Sequence, residues 1–118
     1  MKKIYSLKTC DTCKRIIKSL PTTDGFVFQD IKEEPITVKQ LEEMHALSGN
    51  YEKLFSKRAK LYKEMGLKDE NLAEADFKRY ILEHYTFLNR PVIVIEQNIF
   101  IGNSPKAVQA AIDFLNNE

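Results

Sequence analysis

The chain has 118 residues, 43% of them hydrophobic and 30% charged, which fits one globular domain and leaves little room for two. Eighteen basic residues against seventeen acidic ones give a net charge of +1, which argues against a general nucleic-acid binder with its basic excess. No apolar run approaches the roughly 20 residues that span a bilayer. Lys2 and Lys3 have no apolar stretch behind them, so neither a membrane segment nor a signal peptide is read, and a cytoplasmic protein is expected.

In chain order, Ile4-Tyr5-Ser6 reads as a short strand running into the cysteine segment Thr9-Cys10-Asp11-Thr12-Cys13. A helix follows with Ile16, Ile17 and Leu20 on its apolar face, and Pro21 stops it. Asp24-Gly25 marks a turn, and Phe26-Val27-Phe28-Gln29 reads as a second strand. Strand, helix and strand within thirty residues make a βαβ unit, with the cysteines at its first loop.

The middle of the chain reads as helical. Thr37 as N-cap with Gln40 three positions later forms a capping box, Ile36 and Leu41 are placed for a hydrophobic staple, and Gly49 is a stop. Further helices are predicted from Lys57 to Met65, ended by Gly66, and from about Glu74 to His84. The sequence then returns to strand character at Pro91 to Ile95, turns at Glu96-Gln97-Asn98, and comes back through Ile99-Phe100-Ile101. Ser104 is a good N-cap with Pro105 at the first helical position, and Ala107, Val108, Ala111, Ile112 and Leu115 mark the buried face of a last helix. The fold class expected is α/β, one domain over 1–118, with βαβ first, ββα last and a helical insertion at about 36–88.

Two cysteines are too few for a secreted disulfide scaffold or a four-cysteine zinc site. His45 and His84 lie far from them and lack zinc-finger or zinc-protease spacing. No metal is expected, a composite Cys2His2 site being the weaker alternative. A C-x-x-C pair in a reducing compartment points to redox chemistry. Residues three apart on the first turn of a helix lie near enough for their sulfurs to bridge. The unpaired N–H groups and the positive dipole end at that turn favour thiolate over thiol. Lys8, Lys14 and Arg15 add positive charge nearby in sequence, and Asp11 opposes them. Cys10 is therefore assigned as the attacking thiolate and Cys13 as the resolving or second switch thiol. Arg90, just before Pro91, offers a planar charged fork to an anion or thiolate. Tyr80 and Tyr85 read as packing residues, and His45 and His84 as surface or helix residues rather than general bases.

Three segments together carry a family resemblance: the strand leading into Cys10-Asp11-Thr12-Cys13-Lys14, the stretch from Leu54 to Leu67, and Leu88-Asn89-Arg90-Pro91-Val92. The chain resembles the arsenate reductase-like family of thioredoxin-fold proteins, which includes glutaredoxin-coupled arsenate reductases and Spx-type transcriptional regulators. The resemblance implies a thioredoxin-like four-stranded mixed sheet with a helical subdomain and a cis peptide before Pro91. It also implies Cys10 as the catalytic cysteine and an anion site using Arg90. Arg58, Thr9, Thr12 and Lys14 are further candidates for that site. Ser56 and Asn103 stand where the arsenate reductases carry further arginines, with Arg58 the candidate replacement for the first. Those reductases generally lack a second cysteine at the position of Cys13, whereas Spx-type regulators carry C-x-x-C. Two functions are thus expected from the resemblance. One is a thiol oxidoreductase with no bound cofactor, using glutathione as cosubstrate and glutaredoxin or another small thiol reductant as partner. The other is a regulator docking on RNA polymerase through a Cys10–Cys13 switch.

Overall fold

A computed structural model describes residues 1–118. Its strands are β1 (Lys2–Ser6), β2 (Phe26–Asp30), β3 (Val92–Ile95) and β4 (Asn98–Ile101). Its helices are α1 (Asp11–Ser19), α2 (Val38–Ser48), α3 (Lys60–Glu64), α4 (Glu74–Glu83) and α5 (Pro105–Asn116). The chain forms two units, residues 1–34 together with 90–118, and residues 35–89. No helix is long and apolar enough to cross a membrane.

The first unit is a mixed sheet in the order β2-β1-β3-β4, with β1 parallel to β2 and β3 antiparallel to both its neighbours. This is the thioredoxin-like arrangement. Ile4 lies opposite Phe28 on one side and Ile93 on the other. Ile4, Ile93 and Ile95 share the face that Leu20, Ala111 and Leu115 cover, so α1 and α5 bury this part of the sheet. β3 is buried along its whole length, which is why four consecutive β-branched residues occupy it rather than an alternating pattern. Burying each such side chain stabilises the fold by roughly 1.5–3 kcal/mol relative to exposure.

Local chemistry sets the ends of these elements. Leu20 is extended at ψ 139°, because the ring of Pro21 disfavours helical backbone in the residue before it. The Ser104 hydroxyl accepts the Ala107 N–H at 3.1 Å and Pro105 opens α5. In the β3–β4 hairpin Asn98, expected in the turn, already pairs with Ile95. A two-residue turn, Glu96-Gln97, is left, with Glu96 left-handed at φ 54°.

In the second unit, Thr37 and Gln40 form both hydrogen bonds of the capping box that starts α2, at 3.0 and 3.1 Å. Gly49 closes the helix at φ 95°. The helix expected from Lys57 begins only at Lys60. Ser56 N–H donates to the Phe87 carbonyl at 2.7 Å and Asn89 N–H to the Leu54 carbonyl at 2.8 Å. That short antiparallel pairing holds Phe55 extended, opposite Leu88. Phe55 stacks on Phe87 at 5.3 Å and meets Phe77 at 4.9 Å, an aromatic core for these helices. α4 ends because His84 is extended and its Nδ1 accepts the Thr86 N–H at 3.1 Å.

Candidate active site at the start of α1

β1 delivers the chain through a tight turn, in which Cys10 N–H donates to the Leu7 carbonyl at 3.1 Å, directly to the first turn of α1. Cys10 is the N-cap residue, extended at φ −91° and ψ 108°. Its sulfur takes the place of the usual capping oxygen and accepts the Cys13 N–H at 3.4 Å. The Cys10 carbonyl accepts the Lys14 N–H at 3.1 Å. The Cys10 sulfur is thus fixed by the same hydrogen bonds that begin the helix.

The two thiols differ sharply. Cys10 is half-buried and Cys13 fully buried, both with free thiols. Burial pushes the Cys10 thiol up, but the Cys13 N–H, the Cys13 thiol, the Arg90 guanidinium and the Thr12 N–H together outweigh it and hold Cys10 below the ordinary thiol value. Burial pushes Cys13 up to about 11 against a hydrogen bond from the Leu7 backbone, and the Cys10 charge beside it acts in the same direction as burial. Of the pair, the accessible Cys10 sulfur is therefore the first to ionise, with the buried Cys13 thiol hydrogen-bonded to it.

Among the residues expected at the site, Cys10, Thr12, Cys13 and Arg90 converge on this sulfur. Thr9 is exposed in the preceding turn. The side chain whose charge acts on Cys10 is Arg90, not the lysines near it in sequence. Lys14 leans to Asp11 at 4.0 Å, and Lys8 pairs with Glu33 at 3.2 Å. Arg90 is half-buried, its peptide bond to Pro91 is cis, and Pro91 is fully buried with its carbonyl accepting the Gly102 N–H at 2.9 Å. Arg58 is exposed and belongs to the 35–89 unit. Asn103 is exposed in the loop before α5. The contribution of Leu7 to Cys13 has no sequence signal, because it is a main-chain group placed by the turn.

A profile described as the ArsC family matches residues 5–111. This chain belongs to the ArsC family. Beside this family assignment, the chain is 24% identical over 101 residues to the global transcriptional regulator Spx of Bacillus subtilis, covering 84% of this chain and 77% of that one. In three dimensions it is similar to the arsenate reductase of Vibrio cholerae, with a TM-score of 0.72 at 24% identity over 93% of this chain and 96% of the other. The SACOL0876 protein of Staphylococcus aureus is similar with a TM-score of 0.75 at 24% identity, over 93% and 97%. These structural likenesses establish the thioredoxin-like fold of this ArsC-family chain.

Proposed function

We propose that this protein is a thiol-dependent oxidoreductase in which Cys10 is the nucleophile and Cys13 the resolving thiol. The observation that carries this reading is the capped sulfur of Cys10, which accepts the Cys13 N–H at 3.4 Å and is held below the ordinary thiol value. A thiolate at a helix start beside an always-charged arginine attacks an electrophilic sulfur or arsenic centre and receives an oxyanion through the same donors. With arsenate, Cys10 and one glutathione supply two electrons, arsenite and one water leave, and a Cys10–glutathione disulfide remains. Glutaredoxin reduces that disulfide, or Cys13 attacks the Cys10 sulfur and expels glutathione. No bound cofactor or metal takes part, and the reaction belongs to a reducing, cytoplasmic setting. Ser56 and Asn103 offer no charge where the arsenate reductases carry arginine, so arsenate turnover is slow and a disulfide is the better substrate.

A second reading rests on the C-x-x-C pair together with the likeness to the Spx regulator. In it, oxidation joins Cys10 to Cys13 and changes docking on RNA polymerase, with no direct contact to nucleic acid. The assay that separates the two follows NADPH oxidation with glutathione, glutaredoxin and glutathione reductase, driven either by arsenate or by a glutathione mixed disulfide. The enzyme reading expects turnover that Cys10→Ser abolishes and Cys13→Ser largely keeps in the glutathione-coupled assay. Turnover that survives Cys10→Ser rejects the assigned nucleophile. Absence of turnover with both substrates, with redox-dependent capture of RNA polymerase, establishes the regulator instead.

A further inference from the structure

β2 lies at one end of the sheet order, so no strand flanks its outer side. Natural edge strands are usually blunted by lysine, proline, a bulge or a cover. Phe26–Asp30 has neither lysine nor proline, its five-residue register with β1 is unbroken by any bulge, and Val27 and Phe28 are 59% and 49% exposed. Because strand side chains alternate, these two apolar groups stand on opposite faces of one exposed edge. On the Phe28 face the sheet opens into a groove of about 630 Å³, where Phe28 and Ile17 form an apolar floor. Asp30, Glu33 and Glu34 line the same groove, with Lys8 the one cation among the lining residues. Lys8 is already paired with Glu33 at 3.2 Å, in a contact where both side chains are about 70% exposed.

We propose that this edge and groove receive an extended cationic segment of a partner protein, which adds to the sheet as a fifth strand. The Phe26 N–H already donates to the Thr23 carbonyl and the Asp30 carbonyl accepts the Glu34 N–H. An added strand would therefore pair with the outward backbone groups between them, centred on Phe28, and place alternate side chains beside Phe28 and Val27. The acidic end of the groove fixes the charge of the occupant: apolar residues at Phe26 to Phe28, and lysine or arginine at the Asp30 end. A second copy of this chain fits less well. Antiparallel pairing of two β2 strands about Phe28 would set each Asp30 opposite the other copy's Phe26 and bring no cation from β2 to the acids. Lys8, one of the lining residues, lies two residues before Cys10, so its Cα is at most about 7 Å from that of Cys10. Docking there needs no chemistry at Cys10, which is not among the residues lining the groove.

The test is a titration of the full-length reduced protein, ¹⁵N-labelled, with the peptide acetyl-Ser-Val-Ile-Val-Arg-Lys-Arg-amide and with its counterpart carrying glutamate in place of the three cations. The expected result is amide shift changes centred on Phe26–Asp30. Binding of the cationic peptide should be about tenfold or more tighter and should weaken as salt is raised. Phe28→Lys and Glu33→Lys, both at exposed positions, should each weaken binding while the remaining spectrum stays folded, and Val27→Lys provides a second edge variant. Equal affinity for both peptides, or shift changes away from β2, overturns the proposal. So does a protein that sediments as a dimer and becomes monomeric in Phe28→Lys, since a second copy would then occupy the edge.

Discussion

At the start of α1 two thiols of the same residue type, three positions apart, are driven in opposite directions. Cys10 is partly open to solvent and collects N–H donors and the Arg90 charge, whereas Cys13 is sealed from solvent and pushed up to about 11. The sequence motif already placed both cysteines on a first helical turn, and Pro91 and Arg90 stood out by their position before a strand. The motif did not show which charges reach the sulfur. Lys8 and Lys14 are nearer in sequence, but Glu33 and Asp11 engage them, and long flexible side chains follow the closest carboxylate rather than sequence distance. Arg90 therefore has a separable role. Arg90→Ala should remove a charge-assisted contact worth about 1.5–3 kcal/mol to a bound oxyanion, or about one to two orders of magnitude in affinity. Calorimetric titration of sulfate into wild type, Arg90→Ala and Arg58→Ala at fixed ionic strength checks this, with Arg58→Ala expected to cost less. Unchanged sulfate affinity in Arg90→Ala would place the anion away from this arginine.

Elements whose boundaries are set by neighbouring residues were legible; those set by distant pairing were not. The Thr37–Gln40 box, Gly49, Pro21 and the Ser104-Pro105 start each act within a few residues, and the helices they bound begin or end where those residues dictate. α3 is the contrary case. Its apolar spacing runs back to Lys57, yet Ser56 and Leu54 are committed to Phe87 and Asn89, more than thirty positions later. Only the folded chain brings those partners together, so the helix starts three residues late. The legible cap also yields a clean test. Thr37→Ala removes the side-chain acceptor for the Gln40 N–H and should cost about 1 kcal/mol. Urea unfolding of the full chain measures it, and a loss below the error of extrapolation would show that α2 is held by packing alone.

Across the whole molecule, the ArsC-family match covers residues 5–111 and the thioredoxin-like sheet presents the N-terminus of α1 beside the cis Arg90–Pro91 peptide. Relatives of this chain include both a reductase and a regulator by name, and both readings proposed for this chain turn on the Cys10–Cys13 pair. Family membership therefore does not decide between them. Because Cys10 is held below the ordinary thiol value, its thiolate form favours the folded state above the unfolded value, and that contribution is lost as pH falls through the folded one. The same sign governs reactivity, since only the thiolate attacks. The most direct measurement is the pH profile of iodoacetamide alkylation on the native, reduced protein, with each modified cysteine identified by peptide mass. The structure predicts that Cys10 alone is modified while the protein is folded, with a rate midpoint below that of an ordinary thiol, and that Cys13 reacts only after unfolding. Equal labelling of both cysteines in the folded protein, or a Cys10 midpoint at or above the ordinary value, would contradict the assignment of Cys10 as the activated nucleophile.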